Sequence, residues 1–165
     1  MKWTFAGAAA MAALLSAVGP NALAGPSSRA DFLKTAIKGD NSEIKLGNLA
    51  AQKGATPGVR HFGRTLVTDH MKARAQAARV ADRLGINAPS RPMAKAEAEY
   101  MKLRTLSGRH FDREFVRYMV RDHRHDIGEF SQMAREHNGP VGDLAHKQLP
   151  TLRKHLHMAE SLMNM

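Results

Sequence analysis

The fold is decided by residues 54–84, which read GATPGVRHFGRTLVTDHMKARAQAARVADRL. Gly54 is suited to ending one helix, Thr56 to capping the next, and Pro57 to the first turn of that second helix. Apolar residues then recur at intervals of three, four or seven positions, at Val59, Phe62, Leu66, Ala73 and Ala77. This spacing predicts an amphipathic helix over about residues 57–84, joined by a tight turn to the helix before it.

The rest of the chain has the same helical pattern. We expect further helices over about residues 29–53, 93–106, 109–137 and 141–163, with Gly39-Asp40-Asn41 as a candidate interruption of the first. A Pro-containing crossover precedes the short third helix, and a tight turn precedes the last helix. The sequence shows no alternating strand pattern. The predicted fold class is therefore all-α: a four-helix bundle with a short extra helix in the crossover.

Composition limits the class of protein. The 165 residues are 43% hydrophobic and 24% charged, which is typical of one soluble globular domain. The chain has no cysteine, which excludes a disulfide framework, a thiolate metal site and a thiol nucleophile. We find no Ser-His-Asp order, phosphate loop or paired acid carboxylates, so the sequence favours a non-catalytic protein.

Residues 1–24 have the pattern of a signal peptide. Lys2 is followed by a short apolar stretch that is rich in alanine and glycine, and Ala22-Leu23-Ala24 matches an A-x-A processing site. The stretch is too short to be a convincing membrane span of about 20 residues, although an uncleaved anchor is the alternative. We expect cleavage after Ala24, a periplasmic or exported location, and a bundle domain over residues 25–165.

Three of the predicted helices carry a histidine at a position where the apolar stripe would place a leucine. These residues are His70, His123 and His155. On the first helix Glu43 lies on the inner line, where Ile44 competes for the same position. Glu43 and His70 are equally far in sequence from the first turn, and His123 and His155 are equally far from the second. With a rise of about 1.5 Å per residue, both pairs fall near the middle of the bundle.

Three buried imidazoles and one carboxylate at one level predict a metal site. Burying them without a shared partner would be costly, so they should bind one another or a cation. Four such ligands suit one divalent transition metal ion, with Zn²⁺ or Cu²⁺ favoured. The alternatives are an internal hydrogen-bond network and, for Glu43, a favourable charge in the first turn of a restarted helix. No histidine here belongs to a Glu-x-x-His motif, which argues against a di-iron centre.

Several neighbouring residues have roles that the sequence leaves open. Met119 and Met158 share the inner strip with a histidine, which would favour copper, although methionine is also a common core filler. Asp126 fits an oxygen ligand, a group that orients an imidazole, or an exposed charge. Asp69 and Asp122 each precede a histidine and point about 100° away from it, so they would serve only as partners of ligands on neighbouring helices.

The charge balance supports a second function class. Lys and Arg outnumber Asp and Glu by 25 to 15, which gives a formal net charge of +10. A metal-free envelope scaffold or stress protein that binds an anionic surface or a protein partner is therefore the alternative function. Nucleic acid is not a predicted partner, because the basic residues are spread through every helix and only 5% of residues are aromatic.

A set of short motifs also resembles a known family. The matching residues are Phe32, Glu43, Leu46-Gly47, Leu49-Ala50, Asp69-His70, Lys72-Ala73, Leu84-Gly85, Phe111-Asp112, His123, Leu149-Pro150-Thr151-Leu152 and His155-Leu156. Together they are similar to the domain of unknown function 4142 family, over nearly the whole chain after the signal peptide. Members are often labelled exported or outer membrane proteins. The resemblance implies a ferritin-like four-helix bundle with the long crossover after the second helix, and it implies no known reaction.

Overall fold

The structure is a computed structural model that describes residues 28–163. Five helices follow one another: α1 (Arg29–Lys53), α2 (Pro57–Arg83), α3 (Ala94–Thr105), α4 (Gly108–Glu136) and α5 (Pro140–Met163). Over this range there is no strand, so the predicted all-α bundle with a short helix in the crossover is confirmed. The predicted signal peptide lies outside the described residues. None of the five helices is both long and apolar enough to cross a membrane.

The helix ends follow the local sequence. The side chain of Ser28 accepts a hydrogen bond from the backbone of Asp31, and Thr56 does the same for Val59 at the start of α2. Gly139 has a φ of 91° just before α5, a conformation that favours glycine. The candidate interruption at Gly39 does not occur, because α1 is continuous through that residue. All five predicted helices agree with the structure to within a residue at each end.

The four long helices form two hairpins, α1–α2 and α4–α5, which pack together through α2 against α5 and α1 against α4. Asp112, near the start of α4, accepts hydrogen bonds from the backbone N–H groups of Ala55 (2.8 Å) and Thr56 (2.9 Å). The α1–α2 turn and the start of α4 therefore lie at the same end of the bundle. It follows that α4 runs parallel to α2 and antiparallel to α1, and that the crossover carrying α3 returns along the bundle, as the ferritin-like fold requires.

Two glycines allow α1 and α2 to pack closely. A Cβ atom added at Gly47 would lie 2.8 Å from the carbonyl oxygen of Gly63. One added at Gly63 would lie 2.6 Å from the carbonyl oxygen of Gly47. Since real Cβ atoms do not approach a backbone oxygen so closely, this crossing depends on glycine at both positions.

The buried core has three levels along the bundle axis. One apolar level, the Phe32 cluster, contains Phe32, Leu33, Ala36, Ile37, Ala77, Val80, Ala81, Phe130, Met133, Val141, Leu144, Ala145, Leu149 and Leu152. The other, the Phe62 cluster, contains Leu46, Ala50, Val59, Phe62, Leu66, Ala96, Leu103, Phe111, Phe115, Val116, Tyr118, Met119, Val120 and Ala159. On each long helix a buried polar segment separates the members of the two clusters. We call these residues the polar layer: Asp40, Glu43, His70, His123 and His155.

Candidate metal centre

The structure brings the three predicted histidines to one point in the polar layer. His70 is 4% exposed, and His123 and His155 are fully buried. One ring nitrogen of each lies within 4.8 Å of one ring nitrogen of each of the other two. The ring centroids are 5.1 Å apart for His70 and His155, 5.4 Å for His123 and His155, and 6.0 Å for His70 and His123. This convergence is the geometric core of the candidate site.

In two of the rings, those of His70 and His155, one nitrogen lies within hydrogen-bond distance of a carboxylate. We call the ring nitrogen that faces such an acceptor the outer nitrogen. Nδ1 of His70 lies 2.9 Å from Oδ1 of Asp40, on α1. Nε2 of His155 lies 3.0 Å from Oδ2 of Asp69, on α2. A carboxylate only accepts hydrogen bonds, so in each pair the ring N–H donates to the carboxylate. The other nitrogen of each neutral ring then carries a lone pair.

A backbone carbonyl holds the third ring. Nδ1 of His123 lies 3.0 Å from the carbonyl oxygen of Met119, one turn earlier on α4, and donates its hydrogen to that oxygen. Nε2 of His123 consequently carries the lone pair, and it lies 3.3 Å from Nδ1 of His155. These facing nitrogens are both acceptors when their outer N–H groups are engaged as described. Their separation matches one edge of a tetrahedral site, which is about 3.3–3.4 Å when each metal–nitrogen distance is about 2.0–2.1 Å.

Two of the three rings, those of His123 and His155, are held in the neutral form by their environment. Burial, followed by the neighbouring His70, lowers the pKa of His155 to about 4, against the opposing effect of the Asp69 carboxylate. Burial, followed by His70 and His155, lowers the pKa of His123 well below its usual value. Nε2 of His70 is buried and has no hydrogen-bond partner within residues 28–163. The facing nitrogens of His123 and His155 therefore have no proton to share between them, and Nε2 of His70 is a third nitrogen of the same layer that is unpaired among the described residues.

Comparison with known sequences gives the family. The profile of the family described as "Domain of unknown function (DUF4142)" matches residues 14–162. The chain belongs to the DUF4142 family. Among solved structures it is similar to one described as "Crystal structure of DUF305 fragment from Deinococcus radiodurans", at 18% identity and a TM-score of 0.73. That match covers 82% of this chain and 95% of the other, and it shows the fold alone. No curated protein matches the chain.

In this DUF4142 domain, Glu43 lies beside His123, nearest to the ring nitrogen that donates to the Met119 carbonyl. It is 1% exposed, and its Oε1 is 3.8 Å from Nδ1 of His123. It is not part of the group whose ligand atoms all lie within 4.8 Å of one another. Neither carboxyl oxygen has a hydrogen-bond partner in the described part of the chain. Burial, with Asp122, Asp126 and Asp40 nearby, raises the pKa of Glu43 well above its usual value.

The two aspartates that precede a histidine have different partners in the DUF4142 domain. Asp69 contacts His155 on the neighbouring helix, as its position in the sequence allowed, and also accepts a hydrogen bond from Lys154 at 2.7 Å. Asp122 instead pairs with Lys95 at 2.7 Å. Asp126 is half-buried, and burial together with Asp122 raises its pKa to about 8. The carboxyl groups beside the histidines are therefore crowded and poorly solvated.

Sequence reasoning missed two of the three groups that orient the rings. Asp40 lies on the same inner line of α1 as Glu43. Because it also belongs to the candidate interruption Gly39-Asp40-Asn41, the sequence did not predict its pairing with His70. The carbonyl of Met119 is a backbone group, and no residue type signals its use. The Met119 side chain is buried in the Phe62 cluster, and Met158 packs against the same cluster.

Proposed function

We propose that the protein is an exported, non-catalytic protein that binds one divalent transition metal ion through His70, His123 and His155. One observation carries this proposal. The outer nitrogen of each ring is held by an acceptor, and the inner nitrogens converge as lone pairs. Acceptors placed behind metal-binding imidazoles fix the tautomer and make the ring a better donor. Three nitrogen donors suit Zn²⁺ or Cu²⁺ best.

An internal hydrogen-bond network explains the arrangement less well. Such a network needs a hydrogen between His123 Nε2 and His155 Nδ1, but both rings already use their hydrogen outward. An added proton is opposed by burial, which lowers the pKa of both rings. Each buried polar atom left unpaired costs about 1–3 kcal/mol. A bound cation would satisfy all three inner nitrogens at once.

Glu43 is the proposed fourth ligand. Its carboxyl oxygens are buried and hold no hydrogen bond to any residue between 28 and 163, so turning the side chain toward the histidines breaks none. A carboxylate would also offset part of the charge that a divalent ion brings into the core. Four protein ligands leave no open position for a substrate, which supports a structural or storage role instead of catalysis.

Metal analysis tests the proposal directly. The protein is purified without a His-tag or chelating resin, and its zinc, copper and nickel contents are measured. We expect about one metal ion per chain. His123→Ala should weaken binding of the identified ion by more than about 100-fold, beyond the loss seen for outer groups. His157→Ala is the matched control, because His157 lies two positions after His155 on α5 and is exposed. Equal effects of the two variants would contradict a buried site.

The metal-free envelope scaffold is the competing function, favoured by the net charge of +10. The two candidate functions predict different effects of metal ions on Tm. A ligand that binds only the folded state raises Tm, so the metal-binding protein should melt higher with Zn²⁺ or Cu²⁺ than with chelator. A protein that is isolated without metal, and whose Tm is unchanged by Zn²⁺, Cu²⁺ and Ni²⁺, would favour the scaffold.

Export is proposed from the sequence of residues 1–24 alone. The charged start, the apolar stretch and the A-x-A site support it. The test is N-terminal sequencing of protein recovered from the periplasmic fraction of cells that express the full chain. We expect the mature protein to begin at Gly25. Recovery of chains that begin at Met1, and only from the cytoplasmic fraction, would contradict the proposal.

A further inference from the structure

A cavity of about 180 Å³ lies beside the polar layer. The buried residues Asp40 and His70 line it, and so do the exposed residues Lys72 and Lys147. Since its lining includes both buried members of the layer and residues on the surface, the cavity connects His70, one of the three histidines of the candidate metal centre, with solvent.

The buried part of the cavity lining carries free polar atoms. Nε2 of His70 and Oδ2 of Asp40 have no hydrogen-bond partner among the residues that the structure describes, and the two residues are 4% and 6% exposed. Buried acceptors of this kind are costly unless they bind a donor or a cation. The inner end of the cavity is therefore suited to a positively charged ligand.

A second group of metal-binding side chains lies on α4 next to the cavity. One ligand atom from each of His125, Asp126 and Glu129 lies within 4.8 Å of those of the other two. Nε2 of His125 is 3.2 Å from Oε1 of Glu129. Asp126 and Glu129 also line the cavity, whereas His125 is exposed to solvent. This outer group thus joins the surface of α4 to the cavity.

The cavity lining is acidic, although the chain as a whole is basic. Four carboxyl groups and two lysines line it, on a chain whose formal net charge is +10. A carboxyl group can release its proton to bind a cation, whereas a protonated lysine cannot be a ligand. A carboxyl-lined opening raises the local concentration of cations on a protein that otherwise repels them.

We infer that this cavity is the route by which a divalent transition metal ion reaches the three buried histidines, and that His125, Asp126 and Glu129 capture the ion at its outer end. The inference rests on the proposed function. The outer group offers one imidazole and two carboxylates in contact with solvent, whereas the inner group offers three imidazoles in a buried layer. Zn²⁺ and Cu²⁺ favour the nitrogen-rich set, so the ion passes inward, beside Asp40, to the tighter site.

The test separates the rate of metal binding from its affinity. Metal-free protein is mixed with Co²⁺ in a stopped-flow instrument, and visible d–d absorption reports the arrival of the ion at the nitrogen site. The double variant His125→Gln/Glu129→Gln removes two capture ligands from the exposed side of α4. We expect it to slow Co²⁺ binding by about tenfold. Its equilibrium affinity for Co²⁺ should change by less than about threefold, because the buried ligands are untouched.

A matched control lies on the neighbouring helix. His157 and Glu160 have the same residue types on α5 but do not line the cavity. His157→Gln/Glu160→Gln should bind Co²⁺ at the wild-type rate. If the α4 double variant also keeps the wild-type rate while the wild-type protein binds Co²⁺, the entry route is wrong and the proposed function stands. If the wild-type protein binds no Co²⁺, Zn²⁺ or Cu²⁺, the proposed function fails and the route fails with it.

A second variant narrows the cavity itself. Ala73 lines the cavity one turn after His70, and Ala73→Leu places a larger side chain in the opening. An obstructed route should slow both binding and release of Co²⁺ by a similar factor and leave the affinity nearly unchanged. Ala75→Leu, at an exposed position of the same helix, is the control. Wild-type rates in both directions for Ala73→Leu would overturn the assignment of this cavity as the route.

Discussion

The polar layer and the two apolar clusters share the four long helices, and the Phe62 cluster adds two residues of α3; all are buried, but their buried atoms have different surroundings. The clusters bury almost only carbon atoms, which pack against one another. Seven buried side-chain nitrogen or oxygen atoms have no hydrogen-bond partner within residues 28–163, and four of them belong to Asp40, Glu43 and His70. The clusters therefore stabilise the bundle, and the polar layer between them lowers its stability.

The contrast between the polar layer and the apolar clusters makes the polar layer the candidate for function. A helix that placed leucine at each inward position of the layer would pack with fewer unsatisfied groups. The cost of the polar layer is understandable if a ligand restores the missing interactions. Variants in the clusters should consequently lower the stability, whereas variants in the layer should weaken metal binding or, in the metal-free protein, raise the stability.

The largest expected effect is in the Phe62 cluster. Phe115 is fully buried, and its ring lies 6.0 Å from Phe62 and 6.1 Å from Phe111 between centroids. Phe115→Ala should lower the free energy of unfolding of the metal-free protein by about 3–5 kcal/mol, because it leaves a cavity. Urea denaturation followed by circular dichroism measures this. The exposed control Met71→Ala should have little effect, and equal losses in both variants would contradict the assigned core.

In the polar layer, replacing a buried carboxyl group should raise the free energy of unfolding of the metal-free protein. Glu43→Met replaces a buried carboxyl group by an apolar side chain of similar size, and should stabilise the metal-free protein by about 1–4 kcal/mol. The raised pKa of Glu43 in the folded state means that its destabilising effect is small below about pH 4.5 and grows as the pH rises. The gain should therefore be greater at pH 8 than at about pH 4.

Unfolding at both pH values measures the Glu43 effect. Glu160→Met, on the partly exposed surface of α5, is the control and should show no such dependence on pH. Loss of stability in Glu43→Met at pH 8 would show that the carboxyl group stabilises the layer, contrary to the contrast drawn here.

The next effect concerns the orientation of a single ring. Asp69→Asn removes the carboxylate that accepts from Nε2 of His155 and keeps the shape of the side chain. It should weaken Zn²⁺ binding by about 10–100-fold. Titration calorimetry with Zn²⁺ provides the measurement, and Asp82→Asn, at an exposed position of the same helix, is the control. An unchanged Zn²⁺ affinity in Asp69→Asn would contradict the role assigned to the outer acceptors.

The smallest expected effect compares two glycines of α1. A Cβ atom at Gly39 would meet only Cε of Met93 at 3.9 Å, so Gly39→Ala should stabilise the helix by about 0.5–1 kcal/mol. At Gly47 the added atom would lie 2.8 Å from a carbonyl oxygen of α2, so Gly47→Ala should lower the stability. Thermal unfolding of the two variants measures the difference. Stabilisation by both would mean that the α1–α2 crossing tolerates a side chain.

The helices and the level of the histidines were predictable from the sequence. The apolar stripes gave all five helices, and the equal distances of the histidines from their turns placed them together, because helix rise is uniform. The ring contacts were not predictable. Whether His123 uses Nδ1 or Nε2 depends on the carbonyl of Met119, and the partner of His70 depends on the rotation of α1. The cavity also depends on side-chain packing across four helices, which no linear pattern records.

The pairing of Asp112 with the α1–α2 turn bears on how the two hairpins align during folding. One hairpin supplies His70 and the other supplies His123 and His155, so sliding one hairpin by a single helical turn would displace the rings by about 5.4 Å. That displacement exceeds the 4.8 Å within which the ring nitrogens of all three histidines lie. Asp112, anchored by two backbone N–H groups at the far end of the Phe62 cluster, sets the axial register that the distant imidazoles need.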